Sequence, residues 1–249
     1  MRRVVIGKRN RVLATGDTRF VSGSELIANF AEYQQDFESA QAIVWAWYAL
    51  DDSGRPDISA TLRGTETILA KLHSFSMPRI FLSTDAVFSG QEGAYGEDDT
   101  PDPQTAYARV KHSQESLMSG FTRLRFTTFG PSFSVSRPLL LEMVSGGTLT
   151  VGRPHQYFSP ISTPTLNNAI ETILASGAEP QLYHLTSEPI SKSACCIRLS
   201  KAIGVPPPKL DTIDETALNL SLTSRTHNYS LSDEITLAVG AWRSQRANR

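Results

Sequence analysis

Cysteine is almost missing from this chain: the only two, Cys195 and Cys196, are adjacent. Neighbouring positions of a helical pattern point apart, so the pair reads as small buried apolar residues, not as a disulfide, redox or metal site. Long apolar runs are missing as well. The longest, Ala42 to Leu50, is far too short to span a bilayer. The opening Met1-Arg-Arg-Val-Val-Ile-Gly7 lacks the apolar stretch of a secretory signal. Neither sign of charge is in excess: 24 Lys and Arg stand against 25 Asp and Glu, a net charge of −1. That balance gives no general attraction to nucleic acid or to an anionic membrane, and neither is expected as a partner. Internal repeats and low-complexity segments are not visible. The expectation is a soluble cytoplasmic protein. At 249 residues and 40% hydrophobic, the chain has enough material for one large domain, or one domain with a small lobe.

What is present is alternation. Short runs rich in β-branched and aromatic residues (Val4–Ile6, Ala42–Trp47, Arg79–Leu82, Leu124–Thr128, Leu182–Leu185) alternate with helical patterns at Ser24–Phe37, Thr65–Phe75, Tyr107–Met118, Thr163–Ala175 and Ser191–Ile203. Such alternation predicts an α/β fold whose parallel sheet is covered on both faces. Ligands then bind beyond the carboxyl ends of the strands. Ser89 to Pro103, rich in Gly, Asp, Glu and Pro, reads as an exposed loop, and Pro206-Pro-Pro208 separates a tail with one helix near Leu231–Trp242.

One strand, Phe81-Leu82, runs into Ser83-Thr84-Asp85-Ala86-Val87-Phe88, which places a hydroxyl at the edge where chemistry is expected. Downstream, Tyr107 and Lys111 are four residues apart and share one helix face. A cation beside a tyrosine lowers the phenol pKa. A phenol tuned in that way exchanges a proton with a carbonyl oxygen. Thr84, Tyr107 and Lys111 are therefore the candidate catalytic residues for a carbonyl/alcohol oxidoreduction.

These residues resemble the extended short-chain dehydrogenase/reductase family, and within it the dTDP-4-dehydrorhamnose reductases and related sugar-nucleotide reductases. That branch carries S-T-D-x-V-F, a Gly- and acid-rich loop, and then P-x-x-x-Y-x-x-x-K. Here the pieces read Ser83 to Phe88, Ser89 to Asp102, and Pro103-Gln-Thr-Ala-Tyr107-Ala-Arg-Val-Lys111. Leu124-Arg125, Phe129-Gly130-Pro131, His155-Gln156-Tyr157-Phe158-Ser159-Pro160, Leu182 to Lys192 and Ser221-Leu222 follow in the family's order. The resemblance implies a Rossmann-type doubly wound sheet at residues 1–131. It places the remaining core elements and a small C-terminal substrate-binding lobe at 132–249. It implies that Tyr107 protonates a keto-sugar oxygen, that Thr84 fixes that oxygen, and that Lys111 assists the tyrosine and holds the nicotinamide ribose. Asp85, Ser132, Phe133, Gln156, Tyr157 and Pro160 would join Thr84 and Tyr107 around a sugar nucleotide, in a homodimer serving polysaccharide biosynthesis. No metal is implied.

The cofactor turn departs from that pattern. The family's G-x-x-G-x-x-G becomes Gly7-Lys8-Arg9-Asn10-Arg11-Val12-Leu13, and the stretch up to Arg19-Phe20-Val21 is too short for the usual helix and loop. Trp45-Ala46-Trp47-Tyr48 stands where relatives carry small residues. One reading keeps the cofactor, with Gly7, Arg9, Asn10, Arg11, Trp45, Ala46 and Lys111 as its contacts. Arg9 and the missing acid after Val21 then favour NADP(H) over NAD(H). The alternatives are a non-catalytic binding or regulatory protein, as in the regulatory subunit of methionine adenosyltransferase, and an epimerase or dehydratase.

Overall fold

The computed structural model describes residues 1–7, 13, 16–132, 139–146, 150–151, 154–210 and 217–247. In chain order its elements are β1 (Arg3–Ile6), β2 (Thr18–Val21), α1 (Gly23–Asn29), α2 (Gln34–Glu38), β3 (Ala42–Trp45), α3 (Ile58–Leu72), β4 (Arg79–Leu82), α4 (Ala106–Leu117), β5 (Thr122–Arg125), β6 (Thr128–Gly130), α5 (Leu140–Ser145), β7 (Thr150–Val151), β8 (Gln156–Phe158), β9 (Ile161–Ser162), α6 (Thr163–Ser176), β10 (Leu182–His184), β11 (Thr186–Ser187), β12 (Ile190–Ser191), α7 (Lys192–Ile203), β13 (Lys209–Leu210), β14 (Leu218–Asn219), β15 (Asn228–Tyr229) and α8 (Leu231–Ala247). They divide into two compact, interleaved units. One comprises Met1–Phe88, Pro101–Arg125 and Ile170–Leu182, the other Ser89–Thr100, Phe126–Ala169 and Tyr183–Arg249.

The first unit is organised by a six-stranded sheet in the order β10-β5-β4-β3-β1-β2. β2, β1, β3, β4 and β5 pair in parallel throughout. Helices cover both faces of the central strands, so every residue of β1 and β3 is buried and, Arg3 apart, apolar. The expected Rossmann-type α/β architecture is the one observed. The chain order reverses between β1 and β3, so the switch point lies beyond Ile6 and Trp45.

The helix expected over 24–37 is instead broken. Asn29 leaves helical geometry (φ −150°, ψ 72°), and a short 3-10 turn, Phe30–Tyr33, precedes α2. In an unbroken helix, positions 30 and 37 would lie about 10 Å apart along the axis. In the fold their rings stack with centroids 5.3 Å apart, and Phe75 closes the cluster at 6.3 and 5.9 Å. Aromatic packing therefore overrides helical continuity.

On β3 the pleat separates two sets of side chains. Ile43, Trp45 and Trp47 enter the core with Ile6, Leu26, Ile68, Phe81 and Phe121. The Trp47 indole lies so close to α1 and α3 that a Cβ on Gly23 would come within 2.2 Å of it, and one on Gly64 within 2.6 Å.

The second unit has its own core, built from Phe129, Leu141, Val144, Phe158, Cys195, Cys196, Leu199, Ile235 and Ala238. Both cysteines are fully buried there. Burial pushes both thiols up, Cys196 to about 11, so neither is a ready thiolate. At the start of α6, the buried Glu234 carboxylate of α8 accepts from the Ser162 N–H and from Thr165 Oγ1. No described helix is long and apolar enough to cross a membrane.

Gly23→Ala is expected to destabilise the protein by about 1–3 kcal/mol in chemical denaturation, because the added methyl meets rigid indole atoms. In a Trp47→Leu background the same substitution is expected to cost much less.

Candidate active site

Three side chains on α4 fix that helix against the carboxyl ends of the strands. Lys111 Nζ donates to the Leu82 carbonyl at the end of β4 (2.9 Å). Gln114 Nε2 donates to the Trp47 carbonyl (3.1 Å) and to Thr65 Oγ1 (3.0 Å). The Glu115 carboxylate takes a two-pronged bond from Arg125 of β5 (3.0 and 2.7 Å) and a further one from Ser83 Oγ. These residues are almost fully buried, where unpaired polar groups are costly, so the pairing sets the position of α4 and of the residues it carries.

Tyr107 stands in the first turn of α4, after the Thr105 cap whose side chain accepts from the Ala108 N–H. Thr84 follows β4 in extended geometry. Its hydroxyl donates to Asp85 Oδ1 (3.0 Å) and accepts from the Ala86 N–H. Thr84 also hydrogen-bonds the Tyr107 phenol, a contact that favours the phenolate. The structure thus brings Thr84, Asp85, Tyr107 and Lys111 together.

Tyr48 completes the cluster, and sequence reading did not assign it there. Its ring meets Tyr107 edge-on, centroids 5.5 Å apart at 64°. The Lys111 ammonium lies 5.7 Å from the Tyr48 ring centroid and 4.8 Å from that of Phe81. Both peptide groups flanking Tyr48 are tied down, the Trp47 carbonyl by Gln114 and the Ala49 N–H by Thr61 Oγ1 (2.9 Å). The signal was available: on a strand of period two, Ala46 and Tyr48 face away from the core that takes Trp45 and Trp47.

Two expectations are corrected. Trp45 was expected to contact the cofactor, but it is fully buried, edge-on to Trp47 and Phe121, with no surface left for a ligand. Ala46 keeps its place at the switch point, its Cβ against Gly7. Lys111 was expected to lower the Tyr107 pKa. The phenol is instead held well above its usual range by burial, by Tyr48 and by the Asp85 charge, with only the Thr84 hydrogen bond opposing them. Lys111 does not act as a strong cation because burial pulls it down to about 7, against the pull of Glu115.

The remaining candidates are positioned as follows. Arg9, Asn10, Arg11 and Phe133 lie outside the described residues. In the second unit, Ser132 bonds the Glu142 carboxylate through its N–H (2.8 Å) and hydroxyl (3.0 Å). Gln156 and the exposed Tyr157 lie on β8, and the buried Pro160 accepts from Ser187 Oγ (2.6 Å).

Residues 30–246 match the family model of the RmlD substrate binding domain. The chain belongs to that family. The RmlD match begins in the turn after α1, so the altered stretch between β1 and β2 lies outside it. Solved structures of similar fold include a dTDP-4-dehydrorhamnose reductase from Clostridium acetobutylicum (16% identity, covering 98% of this chain and 100% of that one, TM-score 0.76). Another is the dTDP-4-dehydrorhamnose reductase of Bacillus anthracis in complex with NADP (15%, 96% and 99%, 0.74). A third is the dTDP-glucose 4,6-dehydratase of the same organism in complex with NAD (17%, 94% and 82%, 0.71). No curated protein matches the sequence.

Lys111 provides a pH test. Its folded pKa of about 7 lies below the ordinary 10.5. Between those values the unfolded chain holds the extra proton, so this residue makes stability rise with pH, by at most about 1.4 kcal/mol per pH unit. Urea denaturation from pH 7 to pH 10 is expected to show a steeper rise for the parent than for Lys111→Met. Equal slopes would mean that the amine titrates normally.

Proposed function

We propose that this chain reduces a keto-sugar nucleotide, of the 4-keto-deoxysugar type, with Tyr107 as proton donor and a nicotinamide as hydride source. The observation that carries the reading is the hydrogen-bonded Thr84–Tyr107 pair, with Lys111 one turn further along α4, at the carboxyl edge of the sheet.

The residues present fit the reacting half of a nicotinamide cofactor. The Lys111 amine spends one hydrogen on Leu82, and its remaining hydrogens suit ribose hydroxyls. Gly7 and Ala46 keep the switch point free of bulk. When bound, a nicotinamide supplies hydride to the carbonyl carbon. Tyr107 then gives its O–H proton to the carbonyl oxygen, and Thr84 holds that oxygen in place. The raised phenol pKa suits this direction. Tyr107 is fully protonated at neutral pH, and an alkoxide is a strong enough base to take its proton. Arg9 lies outside the described residues, and the missing acid after Val21 does not by itself select NADP(H), so the proposal is for nicotinamide cofactors as a class.

A second reading, a sugar-nucleotide-binding protein without turnover, is favoured by the short stretch between β1 and β2. Calorimetry separates the two, since that protein would bind a dTDP-sugar and no nicotinamide.

Tyr107→Phe is expected to lower kcat by about 10²–10⁴ while leaving sugar-nucleotide affinity unchanged, measured as loss of reduced-nicotinamide absorbance with keto-sugar nucleotides. Unchanged turnover would remove the donor role. With ring-labelled tyrosine, NMR is expected to show Asp85→Asn moving the Tyr107 titration down in pH and Thr84→Val moving it up.

A further inference from the structure

Lys111 presents a problem of charge. Its side chain is almost fully buried, and a buried ammonium is costly unless its charge and its hydrogens are met. One hydrogen goes to the Leu82 carbonyl (2.9 Å). Among the described residues the amine has no ion-pair partner. Glu115, one turn further along α4, attracts it through space, but that carboxylate is taken by Arg125 (3.0 and 2.7 Å) and by Ser83 Oγ. The other titratable groups around it are Tyr107 and His112 on α4, Tyr48 beyond β3 and Asp85 beyond β4. Asp85 accepts from Thr84, and His112 Nδ1 lies 4.0 Å from Glu115.

What the amine does meet is aromatic. Nζ lies 4.8 Å from the Phe81 ring centroid and 5.7 Å from that of Tyr48. Both distances fall within the range of about 6 Å over which a ring face attracts a cation. Phe81 is fully buried on β4 and fixed by the core. Tyr48 is half-buried, yet its backbone is held on both sides by fully buried side chains, Gln114 at the Trp47 carbonyl and Thr61 at the Ala49 N–H. Gln114 stands on the same helix as Lys111, so one anchor sets both the ring and the amine. The Tyr48 ring also meets Tyr107 edge-on. A small side chain at position 48 would leave that flank of the amine bare.

We propose that Tyr48 is a positioning residue whose ring, with Phe81 and the Leu82 carbonyl, completes an aromatic box that holds Lys111 as a cation beside Tyr107. The charge matters to the chemistry. After bonding Leu82, an ammonium keeps two hydrogens for ribose hydroxyls, and a neutral amine keeps one. Burial pulls Lys111 down to about 7, so a modest attraction decides how much of it is charged near neutral pH. The consequence for turnover rests on the reductase reading; the box itself does not.

The test follows the Lys111 titration by NMR in protein labelled with carbon-13 at the lysine Cε, the signal being the one missing from Lys111→Met. Tyr48→Leu keeps apolar bulk outside the Trp47 core and removes the ring face. It is expected to lower the Lys111 midpoint by about 0.5–1.5 pH units. Tyr48→Phe keeps the ring face and is expected to keep the parent midpoint. In turnover with a keto-sugar nucleotide, the alkaline fall of kcat/KM is expected to move to lower pH in Tyr48→Leu and to stay in place in Tyr48→Phe. A midpoint that stays or rises in Tyr48→Leu, or that falls as far in Tyr48→Phe, would overturn the box. An alkaline fall that ignores a shifted midpoint would overturn the positioning role. Absence of turnover in the parent would remove the reductase reading, and the NMR midpoints would still decide the box.

Discussion

The candidate site depends on how α4 is fastened to the sheet. Lys111, Gln114 and Glu115 reach three successive strand ends, at Leu82, at Trp47 and at Ser83 with Arg125. Each contact satisfies a buried polar group that water cannot reach, so loosening one leaves an uncompensated donor, acceptor or charge. That requirement leaves α4 one position on the sheet, and with it one position for Tyr107 relative to Thr84 and Tyr48.

The chemistry follows from the same burial. The low dielectric that strengthens the Glu115–Arg125 pair also penalises a phenolate at Tyr107 and an ammonium at Lys111. Tyr107 is held as a phenol, and Lys111 beside it gives up its proton more readily than an ordinary lysine. Asp85 adds to the effect through Thr84, since a carboxylate one hydrogen bond away opposes a second negative charge.

Much of this was legible in the sequence, and the remainder was hidden for identifiable reasons. The apolar runs at Val4–Ile6, Ala42–Trp47 and Arg79–Leu82 announced buried parallel strands, and the four-residue spacing of Tyr107 and Lys111 announced a shared helix face. Spacing does not encode burial, so the direction of the Tyr107 shift could not be read from it. The role of Trp45 was misjudged because its position in a motif was weighed above the pleat, which sends it inward and Tyr48 outward. The break at Asn29 depends on Phe75, far away in sequence, meeting Phe30 and Phe37. Two-residue strands such as β7, β11 and β13 carry too few residues for any periodicity to show.

The Glu115–Arg125 pair has a consequence for the medium in which the protein works. Both side chains are only 5% exposed, so mobile ions cannot gather around them. Screening over about 8–10 Å at moderate ionic strength acts on solvated charges and hardly touches a sealed pair. The exposed Arg19–Asp36 contact, with the arginine 52% exposed, is open to that screening. A cell whose salt content fluctuates would therefore loosen the rim near β2 before it disturbed the ends of β4 and β5.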